Sequence, residues 1–108
     1  MISFDEFSKV EMRVARIKEV EEVKGSNRLY KLKVFDGERD RTLLAGLRQY
    51  YSPEELKDRQ VIIVANLEPK RMFGLESEGM LLAAYEKDKG IVSLLKPDRE
   101  VPEGTRIG

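Results

Sequence analysis

The residues best suited to chemistry lie between Ala65 and Ala84. Lys70 and Arg71 are adjacent cations, Met72 and Phe73 an adjacent apolar pair, and Ser77-Glu78-Gly79-Met80 sets a hydroxyl beside a glycine. Cations of this kind suit phosphate contact, although charged loop residues are commonly just solvated. Met72 and Phe73 can present a platform for an unstacked base or plug a barrel mouth, and the need of small barrels for filled ends favours the plug. Ser77 is no catalytic nucleophile. Gly74-Leu75-Glu76-Ser77-Glu78-Gly79 is one residue too long for a Gly-x-Ser-x-Gly elbow, and the chain has no His to activate a hydroxyl. It fits a binding turn better, with Gly79 letting a backbone approach. Asn66 offers an amide to a base edge or to its own turn.

These residues sit between two apolar runs, Val61-Ile62-Ile63-Val64 and Met80-Leu81-Leu82-Ala83-Ala84, which read as buried strands. A connection of roughly a dozen residues is longer than a plain hairpin needs, so it points to function.

Composition narrows the chemistry further. The 108 residues suffice for one domain, 1–108, and 41% hydrophobic content for one core. The 37% charged residues are interspersed, as on a solvated, ordered surface, and 20 basic against 20 acidic residues leave no net charge. A polyanion partner therefore requires a locally segregated positive face. With no Cys and no His, disulfides, thiolate and imidazole chemistry and the usual zinc sites are excluded. Glu19, Glu21 and Glu22 read as the outer face of a strand, and no metal site is expected. No apolar run is long enough to cross a bilayer and the start lacks the order of a signal peptide, so the expectation is a cytoplasmic protein with no membrane association.

Along the chain, Phe4, Phe7 and Val10 give a short helix from Ser3 to Lys9, capped by Ser3 or Asp5. Met12 to Val23 reads as a strand whose parity shifts at Ala15-Arg16, which suggests a bulge. Lys24-Gly25-Ser26-Asn27 is a turn, Tyr30-Leu32-Val34 a second strand, Asp36-Gly37 a tight connection and Thr42–Ala45 a third strand. Ser52-Pro53-Glu54-Glu55 carries a helix cap, proline at the first helical position and the capping-box glutamate. Strands four and five are expected over Val61–Leu67 and Met80–Tyr85. Another follows over Ile91–Leu95, and then a turn-rich tail that Val101 and Ile107 should pack down. The order predicts an all-β fold: an OB-fold barrel with a short N-terminal helix, a helix between strands three and four, and a C-terminal extension. Arg28 and Arg41 fall near one mouth of that barrel, where together they would supply the positive face.

Over essentially its whole length the chain resembles a known family, the structure-specific tRNA-binding domain found at the C-terminus of methionyl-tRNA synthetases, as a separate subunit, or as a free-standing dimer. The resemblance rests on Asp5-Glu6-Phe7-Ser8-Lys9-Val10, Met12-Arg13-Val14-Ala15-Arg16-Ile17, Asn27-Arg28-Leu29, and Arg41 with Leu43-Leu44-Ala45-Gly46. It continues in Tyr51-Ser52-Pro53-Glu54-Glu55-Leu56 and, most specifically, in Val64-Ala65-Asn66-Leu67-Glu68-Pro69 with Met72-Phe73-Gly74-Leu75-Glu76-Ser77-Glu78-Gly79-Met80.

The resemblance implies binding of tRNA at the outer corner of its L, by shape and with little preference among tRNAs, and places Ser77 and Met80 in the site; Arg28, Arg41, Asn66, Lys70 and Arg71, from their type and position, complete the candidate tRNA-binding set. It also implies a homodimer paired through the terminal segments and an association with the catalytic subunit of methionyl-tRNA synthetase. No cofactor and no catalysis are expected, because nucleotide-binding and synthetase motifs are missing. The competing class is a dimeric, peptide-binding chaperone, since relatives of this barrel include such proteins; it would use Met72, Phe73 and Tyr85.

Overall fold

The computed structural model describes residues 1–108. Its framework is an antiparallel sheet in the order β3-β2-β1-β4-β7 with β10 added to β1, curled into an OB-like barrel. The strands are β1 (Met12–Glu22), β2 (Tyr30–Phe35), β3 (Asp40–Ala45), β4 (Gln60–Val64), β5 (Lys70–Met72), β6 (Leu75–Ser77), β7 (Met80–Leu81), β8 (Ala83–Glu86), β9 (Ile91–Leu94) and β10 (Arg106–Ile107). Strand β1 is the hinge of the fold. Its first half pairs with β4, from Met12 opposite Val64 to Arg16 opposite Gln60, and its second half pairs with β2. The register slips between Ile17 and Glu19, two residues beyond the expected bulge, and this slip lets one strand serve both walls.

Alternation decides what faces inward. Leu32, Val34, Leu43, Ile17, Val61 and Ile63 lie in the core with no exposed surface. Each contributes roughly 1.5–3 kcal/mol by leaving water. Helix α2 (Pro53–Leu56) closes one end with Leu56. Its capping box forms as expected: Ser52 accepts from the Glu55 amide and Glu55 accepts from the Ser52 amide. Helix α1 (Phe4–Ser8) is capped by Ser3, with Glu6 completing the same arrangement, and buries none of its residues.

Two elements differ from the expectation. Strand five breaks in two: β7 stays on the barrel beside β4, while β8 leaves it to pair with β9 as a separate hairpin. The long fourth-to-fifth connection is itself a hairpin, β5 against β6. Its turn, Phe73-Gly74, has φ of +52° and +74°, as in the mirror-image turns that match strand twist. The tail packs as expected. The Gly104 amide donates to Val14 O at 2.7 Å, the Val14 amide to Thr105 O at 2.9 Å, and Gln60 Nε2 to Val101 O at 2.6 Å.

Candidate functional site

The barrel seam lies between β3 and residues 77–79, where a regular ladder is missing. The Glu78 amide donates to Thr42 O at 2.8 Å, and beyond that bond side chains take over. Ser77 Oγ accepts from the Leu44 amide at 3.0 Å and donates to Gly79 O at 3.2 Å. At 5% exposure, Ser77 closes the seam and does not face solvent. Replacing Ser77 with Ala removes the partner of the half-buried Leu44 amide, and the loss of such a hydrogen bond costs about 0.5–1.5 kcal/mol. Denaturant titration of Ser77→Ala should show a loss in that range, and an unchanged midpoint would contradict the seam role. Gly79 has φ of +145°, and a β-carbon there would stand 2.9 Å from Val64 O, so the strand order itself requires glycine.

Arg41 is held in the same seam. Its Nε donates to the Asp36 carboxylate and its Nη1 to Ala65 O at 2.7 Å and Glu78 O at 3.1 Å. Asp36 is 1% exposed. Burial alone pushes its carboxyl up, but the Arg39 amide, the Arg41 guanidinium and the Glu38 amide outweigh it and bring the pKa down to about 2. Asn66 is an exposed clip between chain segments and does not cap its own turn. Its Oδ1 accepts from the Glu11 amide at 2.8 Å and its Nδ2 donates to Lys9 O at 2.6 Å, tying the exit of α1 to the end of β4.

The exposed members of the predicted set are Arg28, Asn66, Lys70, Arg71 and Met80, of which Asn66 alone has its side-chain amide engaged within the chain. Lys70 and Arg71 do not act as one patch. On the β5–β6 hairpin Lys70 lies opposite Ser77 and Arg71 opposite Glu76, so the two cations point to opposite faces. Arg71 faces Glu76 across 3.9 Å. Lys70 lies on the rim of an open groove of about 520 Å3 walled by Leu44, Leu67, Met72 and Met80. Met72 thus lines a groove rather than plugging the barrel, and Phe73 stands at the hairpin tip, 56% exposed.

The outer face of β1, β2 and β3, the usual OB ligand face, is locally neutral. Lys31 pairs with Glu21 at 3.9 Å, and Lys33 with Asp40 at 3.7 Å and Glu19 at 4.0 Å. Lys24 and Arg28 in the β1–β2 turn, and Lys70 on β5, make no ion pair. Phe73 joins the two loops, its Cδ1 lying 3.9 Å from where a β-carbon on Gly25 would stand. Lys24 and the hairpin went unread in the sequence. A residue-glycine pair flanked by three-residue runs, Lys70–Met72 and Leu75–Ser77, was the available signal for the hairpin.

A family model described as a tRNA binding domain matches residues 12–106. The chain is 52% identical over 98% of its length to a methionine–tRNA ligase of Pyrococcus furiosus and likewise to that of Thermococcus kodakarensis, covering 14% of each. It therefore spans about one seventh of the length of these curated relatives. Among solved structures, a MetRS-related protein from Pyrococcus horikoshii superposes with a TM-score of 0.93 at 40% identity, over 100% of this chain and 98% of that one. A CsaA chaperone protein from Picrophilus torridus superposes with a TM-score of 0.90 at 36% identity, over 100% of both chains.

Proposed function

The chain belongs to the tRNA binding domain family, and from that membership we propose that it binds tRNA by backbone form, at the outer corner of the L and with little dependence on which tRNA is offered. It assists a methionyl-tRNA synthetase in trans or as an appended domain, and it contributes affinity without a reaction step of its own. The observation that carries this reading is the family match over residues 12–106. RNA duplexes hide their major-groove edges, so a small barrel with few base-reading side chains recognises shape and phosphates.

Within the predicted set, Arg28, Lys70, Arg71 and Met80 make the contacts, while Arg41, Asn66 and Ser77 position the rim that carries them. Phosphate contacts make log affinity fall with log salt by roughly 0.7–0.9 per phosphate neutralised. Replacing Lys70 and Arg71 together with Ala should lower that slope by about 1–2 and weaken all tRNAs alike, as read by filter binding across a salt series. Lys70→Ala should account for more of the change, because Arg71 already faces Glu76. Unchanged affinity and slope in a folded double variant would move the site elsewhere.

The same reading includes a homodimer. Phe4 is 79% exposed, Ile91 51% and Leu95 40%, and apolar surface at the chain termini supports pairing of two copies there. Leu94 does not contribute to that surface, since it packs into the core. Light scattering at micromolar concentration should give twice the chain mass, and a monomer would count against pairing.

A second reading, peptide binding, is favoured by the likeness to CsaA chaperones and by the groove that Met72 and Met80 line, because flexible thioethers adapt to varied apolar side chains. Filter binding of tRNA against an unfolded peptide separates the two: retention of the peptide alone selects the chaperone reading.

A further inference from the structure

We propose that Phe73 is a stacking platform for one unpaired nucleobase of the bound RNA, so that the β5–β6 hairpin engages an unstacked nucleotide in addition to backbone form. The proposal rests on the tRNA-binding reading and goes beyond it. Its first support is backbone strain. Phe73 and Asp58 are the non-glycine residues with positive φ, at +52° and +66°. Asp58 has local reasons for its conformation: aspartate tolerates the left-handed region, its amide donates to Ile17 O at 2.8 Å, and its carbonyl accepts from Arg16 at 2.7 Å. Phe73 has none of these. A turn of this type takes Asn, Asp or Gly without penalty, yet here a large aromatic residue occupies it, 56% exposed. Core packing does not repay the strain, and strain held at an exposed aromatic points to a ligand.

The second support is the charge around the ring. Phe73 reaches across to Gly25, in the β1–β2 turn that also carries Lys24 and Arg28, and it follows Lys70 by three residues on the β5–β6 hairpin. These exposed cations make no ion pair, whereas the lysines of the neighbouring sheet face are paired with carboxylates. An aromatic face among unpaired cations is the arrangement that holds a splayed base by stacking and its flanking phosphates by charge. Among the other exposed aromatics, Tyr85 belongs to the β8–β9 hairpin and Phe4 and Phe7 to α1.

The test compares unfractionated tRNA with a fully paired, blunt-ended RNA duplex as probes. In Phe73→Gly, affinity for tRNA should fall roughly 5- to 150-fold, the range for losing one stacked base, while affinity for the duplex stays the same. The thermal midpoint should not fall, because glycine relieves the strain. In Phe73→Trp, tRNA affinity should stay within about threefold of the parent. As the chain has no Trp, the new indole is the sole reporter, and its fluorescence should be quenched by tRNA and not by the duplex. Equal tRNA affinity in parent and Phe73→Gly, a parallel loss for both probes, or an unquenched indole in a complex that forms each overturns the platform while leaving tRNA binding intact. A parent chain that binds neither RNA sinks the tRNA reading, and the platform with it.

Discussion

Replacing Arg41 with Ala should destabilise the fold by about 3–5 kcal/mol, the usual cost of breaking a buried ion pair from one side. The thermal midpoint should fall by roughly 15–25 °C. Arg41 is 14% exposed at its side chain and its partner Asp36 1%. Truncation therefore leaves a buried carboxylate without its cation and removes the donor to Ala65 O and Glu78 O. Arg41→Lys should recover only part of the loss, because one ammonium cannot span a carboxylate and two carbonyls in the way a planar fork does. Acid provides an independent check. Burial raises the Asp36 carboxyl, and the Arg39 amide, Arg41 and the Glu38 amide together lower its folded-state pKa from 3.8 to about 2, so the share that Arg41 supplies is present above pH 4 and is lost as pH falls through about 2. The gap between parent and Arg41→Ala should accordingly narrow from pH 4 downward in urea melts. A variant that keeps its stability but binds tRNA less tightly would return Arg41 to the role of phosphate contact.

Arg41 also marks the limit of what the sequence makes legible. Ser52, Pro53 and Glu55 announced α2 because a capping box is local, its members three residues apart. Tyr30, Leu32 and Val34 announced β2 because alternation is local too. By contrast, the partners that tie Arg41, Ser77 and Asn66 across the mouth, Ala65, Leu44 and Glu11, lie 24, 33 and 55 residues away. A polar residue in a loop looks the same in sequence whether it faces solvent or closes a seam. Residue type, and for Ser77 the family resemblance, group all three with the binding residues, and neither signal reveals that the fold also uses them as fasteners around the mouth. The break between β7 and β8 was hidden for a related reason. Met80 to Tyr85 is continuously apolar, and nothing in such a run reveals that the chain changes sheets after Leu81.

Gly37→Ala should cost about 3 kcal/mol and loosen the C-terminal tail from the barrel. Two penalties combine there. Gly37 has φ of +95°, a region that costs an L side chain roughly 1–2 kcal/mol. An added β-carbon would also stand 2.5 Å from Glu103 O and 2.7 Å from Gly104 Cα. Both neighbours are backbone and cannot swing aside, so the overpacking adds about 1–3 kcal/mol or displaces the tail. Displacement is resisted, since Arg16 pairs with Glu100 and Glu103, and Gln60 donates to Glu103 at 2.6 Å. Three further glycines separate the two causes. At Gly104 a β-carbon would meet Asp36 O at 3.1 Å with φ of +92°, a milder version of the same conflict. At Gly90 φ is +63° with nothing within 4 Å, which isolates strain, and at Gly46 nothing lies within 4 Å and φ is ordinary. Thermal melts of the four alanine variants should therefore rank Gly37 as most damaging, then Gly104, then Gly90, with Gly46 neutral or slightly stabilised by its stiffer unfolded chain. If Gly37→Ala matched Gly90→Ala, the close approach of the tail to the β2–β3 turn would carry no weight. If it exceeded Gly90→Ala by more than 1 kcal/mol, the backbone contact between Gly37 and Glu103 would be what seats the tail against β1.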